Sequence, residues 1–232
     1  MLRSQRVEGI LLVMAAAPTP LNQIARLLDA GVRIVCLDRI PDRVLVDSVS
    51  VEDQESAEMG VEHLVARGYR RIAAVTGPQS LKNERQRLLG CRQALARHGI
   101  EPEEGLIWTG NLRPEDVAAM CAERLRDRAS RPDAIFSTNG PTALGVLRAL
   151  RVCALSTPED IGLVTFDELT ADDLFLPAVT TVVQPAYDIG YRAADILLDR
   201  IEGAAAGDAP ITVRLPATLK ICDSSRARAA GR

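Results

Sequence analysis

Short apolar runs alternate with amphipathic stretches along most of the chain. Continuous apolar runs, typical of strands buried on both faces, lie at residues 9–14 (GILLVM), 32–37 (VRIVCL), 71–75 (RIAAV) and 161–166 (IGLVTF). Stretches with helical spacing lie at residues 21–30, 53–67, 83–98 and 186–203, each with a glycine at or just after its end. This alternation predicts an α/β fold in which parallel sheets are flanked by helices.

Weaker signals extend the same pattern. Further strands are predicted at residues 44–51, 106–108, 134–136 and 180–183, and further helices at residues 114–128 and 143–152. Near the end of the chain, residues 204–209 (AAAGDA) predict a linker of small residues and residues 211–219 a terminal strand or hairpin. Residues 224–232 are polar and basic, which predicts a frayed tail.

Composition and charge narrow the class of protein. Of the 232 residues, 47% are hydrophobic, which is enough for a packed core. The 28 basic and 31 acidic side chains give a net charge of -3, so the basic excess of a protein that binds nucleic acid by itself is missing. No apolar run reaches the roughly 18 residues of a membrane helix, and no signal peptide is evident, which predicts a cytoplasmic protein without a membrane partner. The five scattered cysteines, without a CxxC pair, predict reduced and mostly buried thiols.

Polar residues directly follow four of the predicted strands. These groups are Asp38-Arg39, Thr76-Gly77-Pro78, Asn139-Gly140 and Asp167-Glu168. Ligands of open parallel sheets bind beyond the carboxyl ends of the strands. Four polar groups, each directly after a strand, therefore favour a binding site. Each group also has a purely structural interpretation: a surface ion pair, a turn, a helix cap and a solvated acidic loop, in that order.

Motifs for catalysis, cofactors and metals are missing from the sequence. It contains no GxGxxG after a strand, no GxxxxGK[ST] loop and no GxSxG elbow, so we expect no enzymatic activity and no cofactor. The acidic residues Asp167, Glu168, Asp172 and Asp173 lack the spacing of a calcium-binding loop, which favours a solvated loop over a metal site.

Six segments together resemble one bacterial family. They are RSQRVEGILLV (3–13), GVEHLVARGYRRIAAVTGP (60–78), ERQRLLGCRQALARHGI (84–100), RPDAIFSTNGPTALGVLRAL (131–150), PEDIGLVTFDE (158–168) and PAVTTVVQPAYDIGYRAADILLDRIEG (177–203). In order and spacing they are similar to the effector-binding core of LacI/GalR-type transcriptional regulators, from Arg3 to about Leu219.

The resemblance implies a two-lobed, periplasmic-binding-protein-like (type I) fold with a small ligand between the lobes. A partial N-terminal lobe is expected from residues 1–51 plus 184–205, a C-terminal lobe from residues 52–183 plus 206–222, and a flexible tail from residues 223–232. The three crossovers are expected near residues 51–52, near residues 182–185 and within residues 204–209. The N-terminal lobe is expected to be incomplete, because the family's helix-turn-helix headpiece and the first strands and helices of that lobe have no counterpart here.

The family's ligand contacts can be carried over to five residues. Asp38 stands where the family often has an acidic acceptor for sugar hydroxyls, and Arg85 stands at the ligand-binding arginine. Asn139 and Asp167 match the hydroxyl-binding residues of the second lobe, and Gln184 matches the glutamine near the hinge. Two departures from the family pattern are Leu112, where many members place an aromatic ring against the ligand, and Glu52, where Asp is common.

The function implied by the resemblance is that of an effector-sensing and dimerising core of a transcriptional regulator. Its partners would be a sugar or related small molecule, a second copy in the intact form, and operator DNA, contacted only through a headpiece that this chain lacks. Two alternatives stay open: a stand-alone sugar-binding protein of the transport type, and a non-functional fragment of a regulator.

Overall fold

The computed structural model divides the chain into two compact units. It describes residues 7–15, 21–169, 177–203 and 209–227. The first unit combines Met1–Glu52 with Pro185–Pro216, and the second combines Asp53–Gln184 with Ala217–Arg232. Both are α/β units with parallel strands covered by helices, so the predicted fold class is confirmed.

The first unit holds a four-stranded sheet in the order β1-β2-β3-β9. Its strands are β1 (Gly9–Leu12), β2 (Arg33–Leu37), β3 (Asp47–Val51) and β9 (Thr212–Leu215), and all neighbouring strands are parallel. The helix α6 (Ala186–Glu202) packs against β1, β2 and β3, while α1 (Leu21–Asp29) packs against β2. The strand β1 lies at one edge of this sheet.

The second unit holds a six-stranded sheet in the order β10-β8-β7-β6-β4-β5. Its strands are β4 (Ile72–Thr76), β5 (Ile107–Thr109), β6 (Ala134–Ser137), β7 (Gly162–Phe166), β8 (Thr180–Val183) and β10 (Thr218–Lys220). All neighbours are parallel except β10, which runs antiparallel to β8. The helices are α2 (Asp53–Ala66), α3 (Lys82–Arg97), α4 (Pro114–Arg126) and α5 (Gly140–Val152), of which α2 packs with α3 and α4 with α5.

The core of the second unit explains why its strands are apolar on both faces. Ile135 and Leu163 of the sheet are fully buried in one cluster with Val117 of α4 and Val146 of α5. Each side chain of this size contributes about 1.5–3 kcal/mol when it is fully buried. The backbone at Gly162 lies so close to Tyr69 that a Cβ there would be 2.4 Å from the ring carbon Cζ, so no larger residue fits at the start of β7.

The predicted helix ends are confirmed by backbone geometry. Gly31, Gly68, Gly99 and Gly203 all have positive φ, between 68° and 93°, directly after or one residue beyond a helix end. Glycine adopts this left-handed conformation without the steric cost that a Cβ imposes. Among the described residues, no helix is long and apolar enough to span a membrane.

The structure corrects the prediction for residues 211–219. They form neither a single strand nor a hairpin, because β9 pairs with β3 in one sheet and β10 with β8 in the other. Pro216 lies between them and has no N–H group to continue a ladder. The third passage between the units therefore falls at Pro216–Ala217 and not within residues 204–209, which places residues 209–216 in the first unit instead of the C-terminal lobe. Residues 204–208 lie outside the described residues.

The predicted tail is also corrected. Asp223–Ser225 form a short 3-10 turn in which Ser224 and Ser225 are fully buried. The Ser224 hydroxyl accepts from the Thr180 N–H at 2.8 Å and donates to the Leu163 carbonyl at 2.6 Å. Because these bonds join the segment to β7 and β8, residues 223–225 are part of the second unit, while residues 228–232 lie outside the described residues.

Candidate functional site

The carboxyl ends of three neighbouring parallel strands define the candidate site in the second unit. The strands β4, β6 and β7 are adjacent, and the residues that follow them are Gly77, Thr138 and Asp167. Because parallel strands end at the same edge of a sheet, these residues lie along one edge. The first turn of α2 and the first two turns of α3 bring Asp53, Glu84 and Arg87 to the same place, as their contacts show.

Arg87 is the central side chain of this edge. It is 1% exposed; its Nε donates to Asp53 Oδ1 at 2.7 Å and its Nη1 donates to the Thr138 carbonyl at 2.8 Å. The same Nη1 lies 3.7 Å from Asp167 Oδ2, and the guanidinium carbon stacks 3.7 Å from the centre of the Phe166 ring. A buried arginine needs such partners, because an unpaired charge is costly to remove from water.

Asp167 and Gln184 form a polar pair at the ends of two neighbouring strands, β7 and β8. Gln184 Nε2 donates to Asp167 Oδ1, and the Asp167 N–H donates to the Val182 carbonyl at 3.0 Å. Asp167 has φ 73°, a left-handed conformation that Asp tolerates better than most residues. Its side chain is 31% exposed, so it combines a fixed position with access to solvent.

Glu84 anchors the first turn of α3 to the ends of two strands. Its Oε2 accepts from the Gly77 N–H at 2.8 Å, from Thr76 Oγ1 at 3.2 Å and from Thr138 Oγ1 at 2.5 Å. Its Oε1 accepts from Asn139 Nδ2 at 2.9 Å. With four donors the 2%-exposed carboxylate is well satisfied. It holds Gly77, Thr138 and Asn139 in place, and these strand-end residues are the frame around Arg87.

Asn139 serves as the N-cap of α5. Its Oδ1 accepts from the Thr142 N–H at 2.9 Å, while its Nδ2 donates to Glu84. The structure therefore bears out the helix-cap interpretation of this residue. The oxygen and the nitrogen of the amide both bond within the protein. A direct ligand contact by Asn139 stays a prediction.

The two arginines at the start of α3 have different surroundings. Arg85 is partly exposed, and its Nη1 donates to the carbonyls of Gln79 and Ser80, whereas Arg87 reaches Asp53 and Asp167. Neither of these Arg85 contacts joins it to Asn139 or Asp167, and the sequence interpretation overlooked Arg87. Helical spacing could have identified Arg87, because the buried face of α3 includes positions 84, 87, 88 and 91. Position 85 does not lie on that face.

Asp38 belongs to the first unit. It follows β2 with φ 58°, and its N–H donates to the Val49 carbonyl at 3.1 Å, while the neighbouring Arg39 donates to the Met14 carbonyl at 3.2 Å. Its position after a strand is as predicted, and its role in binding stays a prediction.

Leu112 borders the site at the end of β5. It has φ 65°, which is unfavourable for a leucine, and its Cδ2 would lie 2.7 Å from a Cβ built on Gly77. The side chain therefore lies directly against the backbone that follows β4, where Gly77 leaves room for it. Strained backbone of this kind is concentrated at functional sites.

Metal binding and thiol chemistry find no support in the described part of the chain. No group of three His, Cys, Asp or Glu side chains there is arranged to hold a metal ion, and Asp172 and Asp173 lie outside the described residues. Burial raises the pKa of the Cys36 thiol to about 11 and those of Cys91 and Cys121 to about 12. These three thiols are therefore protonated near neutral pH and unreactive.

The chain matches the periplasmic binding protein-like domain family over residues 61–225. It is 34% identical over 227 residues to the HTH-type transcriptional regulator CelR of Thermobifida fusca, covering 96% of this chain and 65% of CelR. It is 31% identical over 201 residues to the ribose operon repressor of Escherichia coli (strain K12), covering 86% of this chain and 60% of that protein. The chain thus spans less than two thirds of these relatives.

Two solved structures that resemble this chain are also regulators. The structure of a transcriptional regulator CelR–cellobiose complex has a TM-score of 0.85 at 33% identity, covering 96% of this chain and 67% of that chain. A regulatory protein of the LacI family from Chloroflexus aggregans has a TM-score of 0.83 at 26% identity, covering 97% of this chain and 79% of that chain. The chain belongs to the periplasmic binding protein-like domain family, in the group formed by the LacI-type transcriptional regulators.

Proposed function

We propose that this chain is the effector-sensing core of a LacI-type regulator and that its effector is a sugar or a related small polar molecule. The observation that carries the proposal is the cluster of Arg87, Asp167 and Gln184 at the carboxyl ends of the strands. The relatives support it, because one of the solved structures similar to this chain is a complex of CelR with cellobiose.

The chemistry of the cluster suits hydroxyl groups. A carboxylate accepts the hydrogens of hydroxyls, an amide both donates and accepts, and a guanidinium donates in a fixed fork. Asp167 is ordered by Gln184 and partly exposed, so it is the proposed acceptor for ligand hydroxyls. Asp38 and Gln184 remain proposed contacts, and Arg87 is preferred to Arg85 as the arginine of the site.

A binding role is also preferred to an enzymatic one. His63 and Ser225 form a 2.8 Å contact that resembles a base and a nucleophile, but Ser225 is completely buried and cannot reach a substrate. This pair instead holds the C-terminal turn to α2. The polar side chains at the strand ends are engaged in mutual hydrogen bonds that order them for recognition.

The regulatory action would belong to the intact protein. We propose that it forms a homodimer, that it contacts operator DNA through a headpiece, and that effector binding changes the DNA affinity. A cytoplasmic location follows from the same role. The relatives are longer than this chain, and the headpiece is proposed to lie in the part of them that the chain does not span.

Calorimetric titration of the chain with neutral sugars, including cellobiose and ribose, tests the proposed function. We expect at least one sugar to bind and Gln184→Ala to weaken it, because this change removes the partner of Asp167. Gln93→Ala is the matched control, since Gln93 lies on the exposed side of α3 and its side chain accepts from Gln54, far from Asp167 in the chain. Absence of binding by every sugar, with the chain folded, would contradict the proposal.

The coding DNA upstream of Met1 separates the remaining alternatives. An in-frame helix-turn-helix segment is the expected result and supports a regulator. An in-frame signal sequence would instead support a sugar-binding protein of the transport type.

A further inference from the structure

We infer that the site selects an uncharged ligand and discriminates against the phosphorylated form of the same sugar. The inference rests on the proposed function and deepens it, because it names the charge class of the effector. Its basis is that carboxylates outnumber guanidinium groups around the central arginine, and that the helix N-termini at this edge are capped or carry a carboxylate in the first turn.

The charge of Arg87 is compensated within the protein. Asp53 contacts its Nε at 2.7 Å, and Asp167 lies 3.7 Å from its Nη1. A third carboxylate, Glu84, lies near Arg87, because both side chains bond to Thr138. Glu84 accepts from the Thr138 hydroxyl, and Arg87 donates to the Thr138 carbonyl. The only buried cation of this cluster is therefore surrounded by acidic groups, in contrast to a phosphate site, where cations face the ligand.

Other cations near the strand ends are also engaged. The guanidinium of Arg85 donates to the carbonyls of Gln79 and Ser80, and Glu168 lies 3.8 Å from Lys220 Nζ. The four carboxylates of Asp53, Glu84, Asp167 and Glu168 outnumber the three cations Arg85, Arg87 and Lys220, which leaves the edge with an acidic balance. A phosphate group brings about -1.5 to -2 charges near neutral pH, so it would be repelled by Asp167, while the central cation, Arg87, is already paired with Asp53.

The helix N-termini give an independent observation. Three helices begin at this edge, and helix N-termini commonly bind anions through their free N–H groups. In α5 the Asn139 side chain accepts the Thr142 N–H, and Pro141 has no N–H to offer. The first residue of α2 is Asp53 and the first turn of α3 carries Glu84, so a carboxylate lies in the first turn of each of these two helices, where it opposes a further anion. A phosphate group would have to displace Asn139 from α5 and would face a carboxylate at α2 and at α3.

Paired titrations test the inference directly. The chain is titrated calorimetrically with glucose, glucose 1-phosphate and glucose 6-phosphate, with ribose and ribose 5-phosphate, and with cellobiose. We expect a neutral sugar to bind and its phosphate esters to bind at least about tenfold more weakly, which corresponds to about 1.4 kcal/mol. A phosphate ester that binds as tightly as its parent sugar, or more tightly, overturns the inference and leaves the proposed function intact.

Substitution of Asp167 shows whether charge causes the discrimination. Asp167→Asn keeps the shape of the side chain and removes its charge, so the ratio between the affinities for neutral and phosphorylated sugar should fall by at least about threefold, about 0.7 kcal/mol. Glu123→Gln removes one charge from the exposed face of α4 and should leave the ratio unchanged. An Asp167→Asn ratio equal to that of Glu123→Gln contradicts the electrostatic cause, and binding of no ligand at all contradicts the proposed function together with the inference.

Discussion

Arg87 and Asp53 join the helices α2 and α3 through a 2.7 Å contact between Nε and Oδ1. Their side chains are 1% and 12% exposed, so the pair is largely removed from water. The helix α2 begins at Asp53, the residue at which the chain enters the second unit. The contact therefore links the start of that unit to the side chain at the centre of the candidate site.

Loss of Arg87 should destabilise the second unit strongly. Arg87→Met removes a guanidinium that bonds to the largely buried carboxylate of Asp53, and breaking a buried ion pair from one side costs about 3–5 kcal/mol. Urea unfolding measures the change. Arg92→Met on the same helix is the control, because Arg92 is 40% exposed and its pair with Glu104 should contribute less than about 1 kcal/mol. Equal midpoints for the two variants would contradict the assigned role of Arg87.

Glu84→Gln should weaken the frame of the site although it preserves the size of the side chain. The carboxylate accepts from four donors, and an amide nitrogen placed among them can accept from none. The expected loss in the free energy of unfolding is about 1.5–3 kcal/mol, the range for hydrogen bonds to a charged group. Thermal unfolding of Glu84→Gln beside Glu123→Gln checks this prediction, and a variant that melts with the parent chain would refute it.

Ser224 should prove to be a structural residue of the second unit. Ser224→Ala leaves the Thr180 N–H without its buried acceptor and removes the donor to the Leu163 carbonyl, at a cost of about 1–3 kcal/mol. Ser130→Ala is the control: Ser130 is exposed and its hydroxyl donates to the nearby Asp127, so a change within about 0.5 kcal/mol is expected. Hydrogen exchange at β7 and β8 should rise in the first variant and stay constant in the second.

The stability of the second unit should fall as the pH decreases below the ordinary pKa of histidine. Burial lowers the pKa of His63 from 6.5 and the charge of Arg67 lowers it further, against an opposite effect of the hydrogen bond with Ser225. The unfolded chain therefore binds a proton at a higher pH than the folded chain does, so protonation favours unfolding as the pH falls through 6.5. Urea unfolding at pH 7.5 and pH 5.5 measures this effect.

A histidine variant isolates the contribution of His63 to this pH dependence. His63→Gln should reduce the difference in stability between the two pH values, whereas His98→Gln, at the exposed end of α3, should retain it. If both variants keep the parent's pH dependence, another group is responsible for it.

The order and type of the elements were predictable because local signals agree with the tertiary structure. Strands buried on both faces are continuously apolar, and helices end at glycines whose positive φ no other residue adopts easily. The separation of β9 from β10 was not predictable from local pattern, since both are short and half-exposed and only their pairing partners distinguish them.

The site was predicted less completely than the fold. Asp167 and Gln184 do meet, because residues after neighbouring parallel strands lie at one edge. Arg87 was overlooked although the periodicity of α3 placed it on the buried face. The burial of Ser224 left no local signal, because its partner Thr180 is 44 positions away in the chain and a short polar side chain is equally common in a tail.

The division of the strands among the two units has a consequence for the synthesis of the protein. The sheet of the first unit contains β1–β3 from the beginning of the chain and β9 from near its end, and Ser48 contacts Thr212 across 164 positions. During synthesis on the ribosome, β3 therefore emerges long before its neighbour β9, which is translated near the end of the chain. During this interval its unpaired edge is available to chaperones or to wrong partners, so the yield of folded protein should depend on the rate of translation of residues 53–211.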